Sequence, residues 1–68
     1  MSVAKIIEIT SRSPKSFEDA IVQGITRAGE SVDNIKGAWV SEQKVWVEGG
    51  KITEYQVDLK VTFVLHEK

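Results

Sequence analysis

The stretch that decides the fold is Lys51-Ile52-Thr53-Glu54-Tyr55-Gln56-Val57-Asp58-Leu59-Lys60-Val61-Thr62-Phe63-Val64-Leu65. Tyr55, Val57, Leu59, Val61, Phe63 and Leu65 fall on one face, while Glu54, Gln56, Asp58, Lys60, Thr62 and His66 alternate with them on the other. A period of two over this length is the mark of a strand with one buried and one open face. Just before it, Gly49-Gly50 reads as a tight hairpin turn, because two successive glycines accept the positive φ that such turns need. A second long strand, Ile35 to Val47, precedes the turn and is interrupted only by Gly37. Pairing without a bulge sets Val40 opposite Leu59 and Ala38 opposite Val61 on the apolar face. It collects Gly37, Trp39, Ser41 and Gln43 with Gln56, Asp58, Lys60 and Thr62 on the polar one. Strict alternation then sends Trp46 to the apolar side, as a packing residue near Tyr55 and Phe63 or an interface residue.

Upstream, Val3 to Ile9 is short and β-branched and predicts a first strand. Thr10-Ser11-Arg12-Ser13 reads as a polar turn. A helix starts at Ser13-Pro14, with Ser as cap and Pro at the first helical position, or at Ser16, where Asp19 three residues on resembles a capping box. It runs to about Ala28. Phe17, Ile21, Gly24, Ile25 and Ala28 make its apolar stripe, and Gly29 stands where a C-terminal cap is expected. Gly24 costs the helix about 1 kcal/mol against Ala, which close packing on a sheet would offset. The expected fold class is α+β: one domain spanning 1–68, a β-α-β-β subunit whose three-stranded antiparallel sheet curls around one helix. One helix covers only one sheet face, and the open edges and second face point to self-assembly.

A 68-residue chain buries a small core, and small folds lean on disulfides, metals or association. There is no Cys and one His, so disulfides, thiolate sites and His clusters are excluded. A net charge of −1 argues against a nucleic-acid footprint. No apolar run reaches membrane-spanning length and Met1 to Lys5 lacks a signal-peptide layout, so a cytoplasmic protein without a targeting segment is expected.

No catalytic constellation emerges, so the chain is expected not to be an enzyme. His66 reads as a solvated terminal side chain, and Gly49-Gly50 lacks the Lys-Ser/Thr of a phosphate loop. Glu54 and Asp58 share a strand face but stand roughly 13 Å apart, too far for an acid–base pair. Trp39 carries more information. A large aromatic among Gln56, Asp58 and Lys60 calls for a partner, either another subunit or a flat heteroaromatic ring. Gln56 can both donate to and accept from the edge of such a ring.

Several segments together resemble the dodecins: Lys5-Ile6-Ile7-Glu8-Ile9-Thr10, Ser11 to Ser16 leading into Phe17-Glu18-Asp19-Ala20, Arg27-Ala28, Ser31-Val32-Asp33-Asn34-Ile35, and Tyr55-Gln56-Val57 through Val61-Thr62-Phe63-Val64-Leu65. The resemblance covers nearly the whole chain. It implies a β-α-β-β subunit, a hollow homododecamer, and storage of flavin (riboflavin, lumichrome or FMN) without turnover. Gln56 matches the family's ring-contacting Gln. The family's stacking Trp falls on Gly37, and the nearest Trp here is Trp39, on the same strand face but displaced by roughly 7 Å. Lys44 matches a basic residue of bacterial members. The expected ligand contacts are therefore Trp39, Gln56, Gly37 and Lys44, with Lys60 and Asp58 as further polar candidates. The alternative is a dodecin-like shell that binds no flavin and holds cations such as calcium at subunit junctions, with Asp58, Glu54 and Glu42 as oxygen donors.

Overall fold

The computed structural model describes residues 3–65. Its elements follow one another as β1 (Ala4–Ser13), α1 (Phe17–Ala28), β2 (Ile35–Glu48) and β3 (Lys51–Val64). The three strands form one antiparallel sheet in the order β1-β3-β2. The alternating segment is thus the central strand, paired on both edges. Its inward residues Val57, Leu59 and Val61 are buried under α1, with Ala20 of the helix completing the centre. Ile7 and Ile9 from β1, Phe17, Ile21 and Ile25 from α1, and Ile35 from β2 pack around them.

The expected turn at Thr10–Ser13 is corrected. These four residues extend β1, pairing Thr10 with Asp58, Ser11 with Val57, Arg12 with Gln56 and Ser13 with Tyr55. The reason is steric as well as hydrogen-bonded. Ser11 and Ser13 point inward where the helix crosses, and small side chains let it come close. A Cβ built on Gly24 would stand 3.0 Å from the Ser11 Cβ and 3.1 Å from Leu59 Cδ1. The packing expected to offset the helical cost of Gly24 is present.

Of the two expected helix starts, Ser16 is the cap: its Oγ accepts from the Asp19 N–H at 2.9 Å. Asp19 does not close the reciprocal half of a capping box. Its carboxylate accepts instead from Ser13 Oγ at 2.6 Å, and the same hydroxyl accepts from the Lys15 N–H at 2.9 Å. This satisfies buried Ser13 and ties the strand end to the helix start. Phe17 meets Tyr55 edge to face, with ring centroids 5.2 Å apart. Gly29 caps the helix in a right-handed conformation, and the chain turns into β2 through Asn34 at a φ of 63°. Gly49 and Gly50, at φ of 59° and 77°, make the expected hairpin turn. His66 lies outside the described residues.

The unbulged β2–β3 pairing is also corrected. Val40 does oppose Leu59 and Ala38 does oppose Val61. The register then shifts between Val40 and Glu42, and again at Ile35/Gly37 and Trp46/Val47. At the middle shift two residues of β2 face one of β3. Ser41 fills the irregularity by donating its hydroxyl to the Asp58 carbonyl at 3.1 Å. One extra residue flips every later side chain of β2 to the opposite face.

Candidate functional site

The sheet face turned away from α1 is built from three rows. Ile6, Glu8, Thr10 and Arg12 come from β1, Glu54, Gln56, Asp58, Lys60 and Thr62 from β3, and Gly37, Trp39, Glu42, Lys44 and Trp46 from β2. These last three reach this face because of the bulge. The placement of Ser41 and Gln43 among its outward residues is corrected accordingly: Ser41 sits in the bulge, and Gln43 pairs with Val57 on the inner side. The placement of Trp46 on the apolar side is likewise corrected.

Gln56 is the centre of this face. Its Cα partners are Arg12 on one side and Lys44 on the other. Its carbonyl oxygen accepts from Arg12 Nε at 3.1 Å and from the Trp46 indole N–H at 3.0 Å. Its amide nitrogen donates to Asp58 Oδ1 at 3.4 Å, which also accepts from Thr10 Oγ1 at 3.2 Å. Around the Trp46 ring stand two cations, with Arg12 Cζ 4.6 Å and Lys44 Nζ 4.1 Å from its centroid. Each such contact contributes about 0.5–1 kcal/mol at an exposed site. Arg12 also reaches Glu54 at 3.7 Å, a half-exposed ion pair worth at most about 1 kcal/mol.

Trp39 lies further along the same face. It pairs with Lys60, whose Nζ is 5.7 Å from the ring centroid, and it is 49% exposed. Gly37 pairs with Thr62, and no atom stands within 4 Å of where its Cβ would be. Of the four expected contacts, then, Gln56 and Lys44 are neighbours across the ladder. Trp39 is offset from Gln56 by four residues of β3, roughly 13 Å of strand. Gly37 leaves open space beyond it.

The sequence reading missed Arg12, which it assigned to a turn, and the role of Trp46. A signal for the second was present. The apolar positions of the segment run Ala38, Val40 and then Val45, Val47, changing from even to odd numbers. Such a change of parity within one strand marks a bulge between them, and it puts Trp46 opposite in sense to Val45.

Glu42 is the Cα partner of Asp58, so two carboxylates meet across the ladder. Among the described residues there is no group of three or more His, Cys, Asp or Glu side chains placed to hold a metal ion. Nor is any helix there long and apolar enough to cross a membrane. On the other side of the sheet, a groove of about 530 Å³ runs between β1 and α1, lined by Ile7, Ile9, Ser11, Gly24, Arg27 and Val32 among others.

A β-α-β-β subunit with an aromatic and amide face on the uncovered side of its sheet is the frame of a small binding protein. The chain belongs to the dodecin family, whose model matches residues 3–66. Dodecins are non-enzymatic proteins that bind small molecules. A relative from Mycobacterium tuberculosis named calcium dodecin is 47% identical over 64 residues, covering 93% of this chain and 89% of that protein. The crystal structure of calcium dodecin from that organism, described as calcium-chelating with a novel calcium-binding site, is 41% identical. It has a TM-score of 0.82, covering 98% of this chain and 96% of that one. The dodecin of Streptomyces davaonensis is 32% identical with a TM-score of 0.93, covering 97% of each chain. The backbone thus follows the Streptomyces protein more closely than the mycobacterial one, although the sequence does the reverse.

Proposed function

We propose that this chain is a cytoplasmic flavin-sequestering protein that works as a homododecamer, with Trp39 and Gln56 as its ring contacts. The observation that carries the reading is the half-exposed Trp39 ring on the same sheet face as the Gln56 amide. An aromatic platform and an amide on one rigid sheet suit a flat heteroaromatic ring with polar atoms on its edge. Lys44 stands beside Gln56 for a polar substituent, and Gly37 leaves room for the ring or for a neighbouring subunit. Exposed Trp39, Val40, Val47 and Ile52 supply apolar surface for assembly. The test is a titration of the ligand-free protein with riboflavin, following flavin fluorescence. Saturable quenching is expected, weakened in both Trp39→Ala and Gln56→Ala. Gly37→Trp, whose Cβ would meet no atom within 4 Å, should strengthen it. Riboflavin left fully fluorescent by the wild-type protein would reject the reading. Light scattering should give a mass twelve times the 7.6 kDa of one chain.

A second reading is a shell that holds calcium at subunit junctions. It is favoured by the Glu42–Asp58 pairing and by the name of the mycobacterial relative. Like charges directly opposite destabilise a ladder, and a cation between them relieves that. Calcium takes six to eight oxygens, so two carboxylates need further donors from neighbouring subunits. A melting temperature that rises with calcium and falls with chelator supports this reading. Indifference to both removes it.

A further inference from the structure

We propose that Trp46 is a specificity-determining residue, an internal competitor that occupies the Gln56 carbonyl until a ligand with its own ring N–H displaces it. This rests on the flavin reading of the outer face. A carbonyl oxygen has two lone pairs, and both on Gln56 are engaged, one by Arg12 Nε and one by the Trp46 indole N–H. The amide nitrogen has one hydrogen directed at Asp58 and one to spare. In this arrangement Gln56 can therefore donate to a newcomer but cannot accept from it.

A flavin edge offers an imide N–H flanked by carbonyls, and pairing with it through both poles of the amide requires a free acceptor. One donor must leave. Arg12 is charged and also held by Glu54, so its bond is the stronger of the two. The indole is neutral and sits on β2, 36% exposed. Trp46 is the group that gives way. A ring with no N–H at that edge cannot replace the indole bond, so it meets Gln56 as a donor only. The closed indole thus lowers the preference for rings that carry an N–H at that edge over rings that lack one, whatever their size.

The experiment compares Trp46→Phe with the wild type, using riboflavin and a flavin methylated at its imide nitrogen as probes. Phenylalanine keeps an aromatic ring for Arg12 and Lys44 and removes the N–H together with the five-membered ring that carries it. Riboflavin should bind about three- to tenfold tighter to the variant, the span of one net hydrogen bond. The methylated flavin should bind both proteins alike. Equal or weaker riboflavin binding by the variant overturns the competition and leaves the flavin reading standing. A parallel measurement follows the Trp46 indole N–H by nitrogen-edited NMR in ligand-free protein. A downfield, slowly exchanging signal that is lost in Gln56→Ala shows the closed contact. If that contact is seen but neither protein binds riboflavin, the flavin reading fails and with it the proposed competition. An indole N–H indifferent to Gln56→Ala overturns the closed state itself.

Discussion

β1 and β2 flank the same strand, and they differ in every respect that matters for function. The β1–β3 register is regular over all ten pairs, whereas β2–β3 shifts three times. The helix lies across β1 and β3, and it presses close enough at Gly24 to touch Ser11. Beyond Ile35, most of β2 is exposed, including Trp39, Val40, Trp46 and Val47. A strand clamped beneath a helix cannot slip, since a one-residue slip would expose its apolar set. A strand with no cover can take bulges, and those bulges aim Lys44 and Trp46 at Gln56. Rigidity on one side of the sheet supports a tunable surface on the other.

The sharpest way to break this contrast is to hollow the clamped side. Leu59→Ala should lower stability by about 2–5 kcal/mol in denaturant melts, because the side chain is 1% exposed beneath the helix. Val47→Ala, on the open side at 58% exposed, should change a dissociated subunit by about 0.5 kcal/mol or less. Next comes Gly24→Ala. Better helix propensity would stabilise an open helix, but here the added Cβ meets Ser11 at 3.0 Å, and a net loss of about 1–3 kcal/mol is expected. A melting point raised by Gly24→Ala would show that β1 is not clamped at all. Ser13→Ala should cost about 1–3 kcal/mol, since it strands a buried bonding position between the Lys15 N–H and Asp19. Ser41→Ala, which removes the hydroxyl bonded to the Asp58 carbonyl, should cost about 0.5–1.5 kcal/mol and disturb the Trp46 environment, readable in tryptophan fluorescence. The smallest effect belongs to Glu54→Gln: below about 1 kcal/mol, and vanishing in high salt.

The same contrast explains what could be read from the sequence. β3, the helix stripe and the Gly49-Gly50 turn were legible because each obeys one period or one φ requirement. The Val40–Leu59 and Ala38–Val61 pairs followed directly from the turn. Thr10 to Ser13 misled because hydrophilic residues resemble a loop, when Ser11 and Ser13 are small for the sake of the helix above them. Trp46 misled because alternation was carried past Ser41 without allowing for an extra residue. The outer face depends on that one residue more than on any motif. Arg12 could not be placed there until β1 was known to extend that far.

The strand order has a consequence for how a subunit comes together in time. β2 and β3 are joined by a two-residue turn, so their pairing closes short loops and is expected early, on the microsecond scale of hairpins. β1 reaches its place beside β3 only by spanning the whole helix and hairpin, with Thr10 and Asp58 48 residues apart in the chain. That closure is entropically late, and until it happens one edge of β3 stays unpaired. Substitutions such as Ile7→Val should therefore speed unfolding and leave the folding rate almost untouched. Equal effects on both rates would mean that β1 joins before the barrier. During synthesis, β1 and α1 emerge first and must wait for the last strand. β3, and not β1 or α1, sets when each subunit becomes able to meet another.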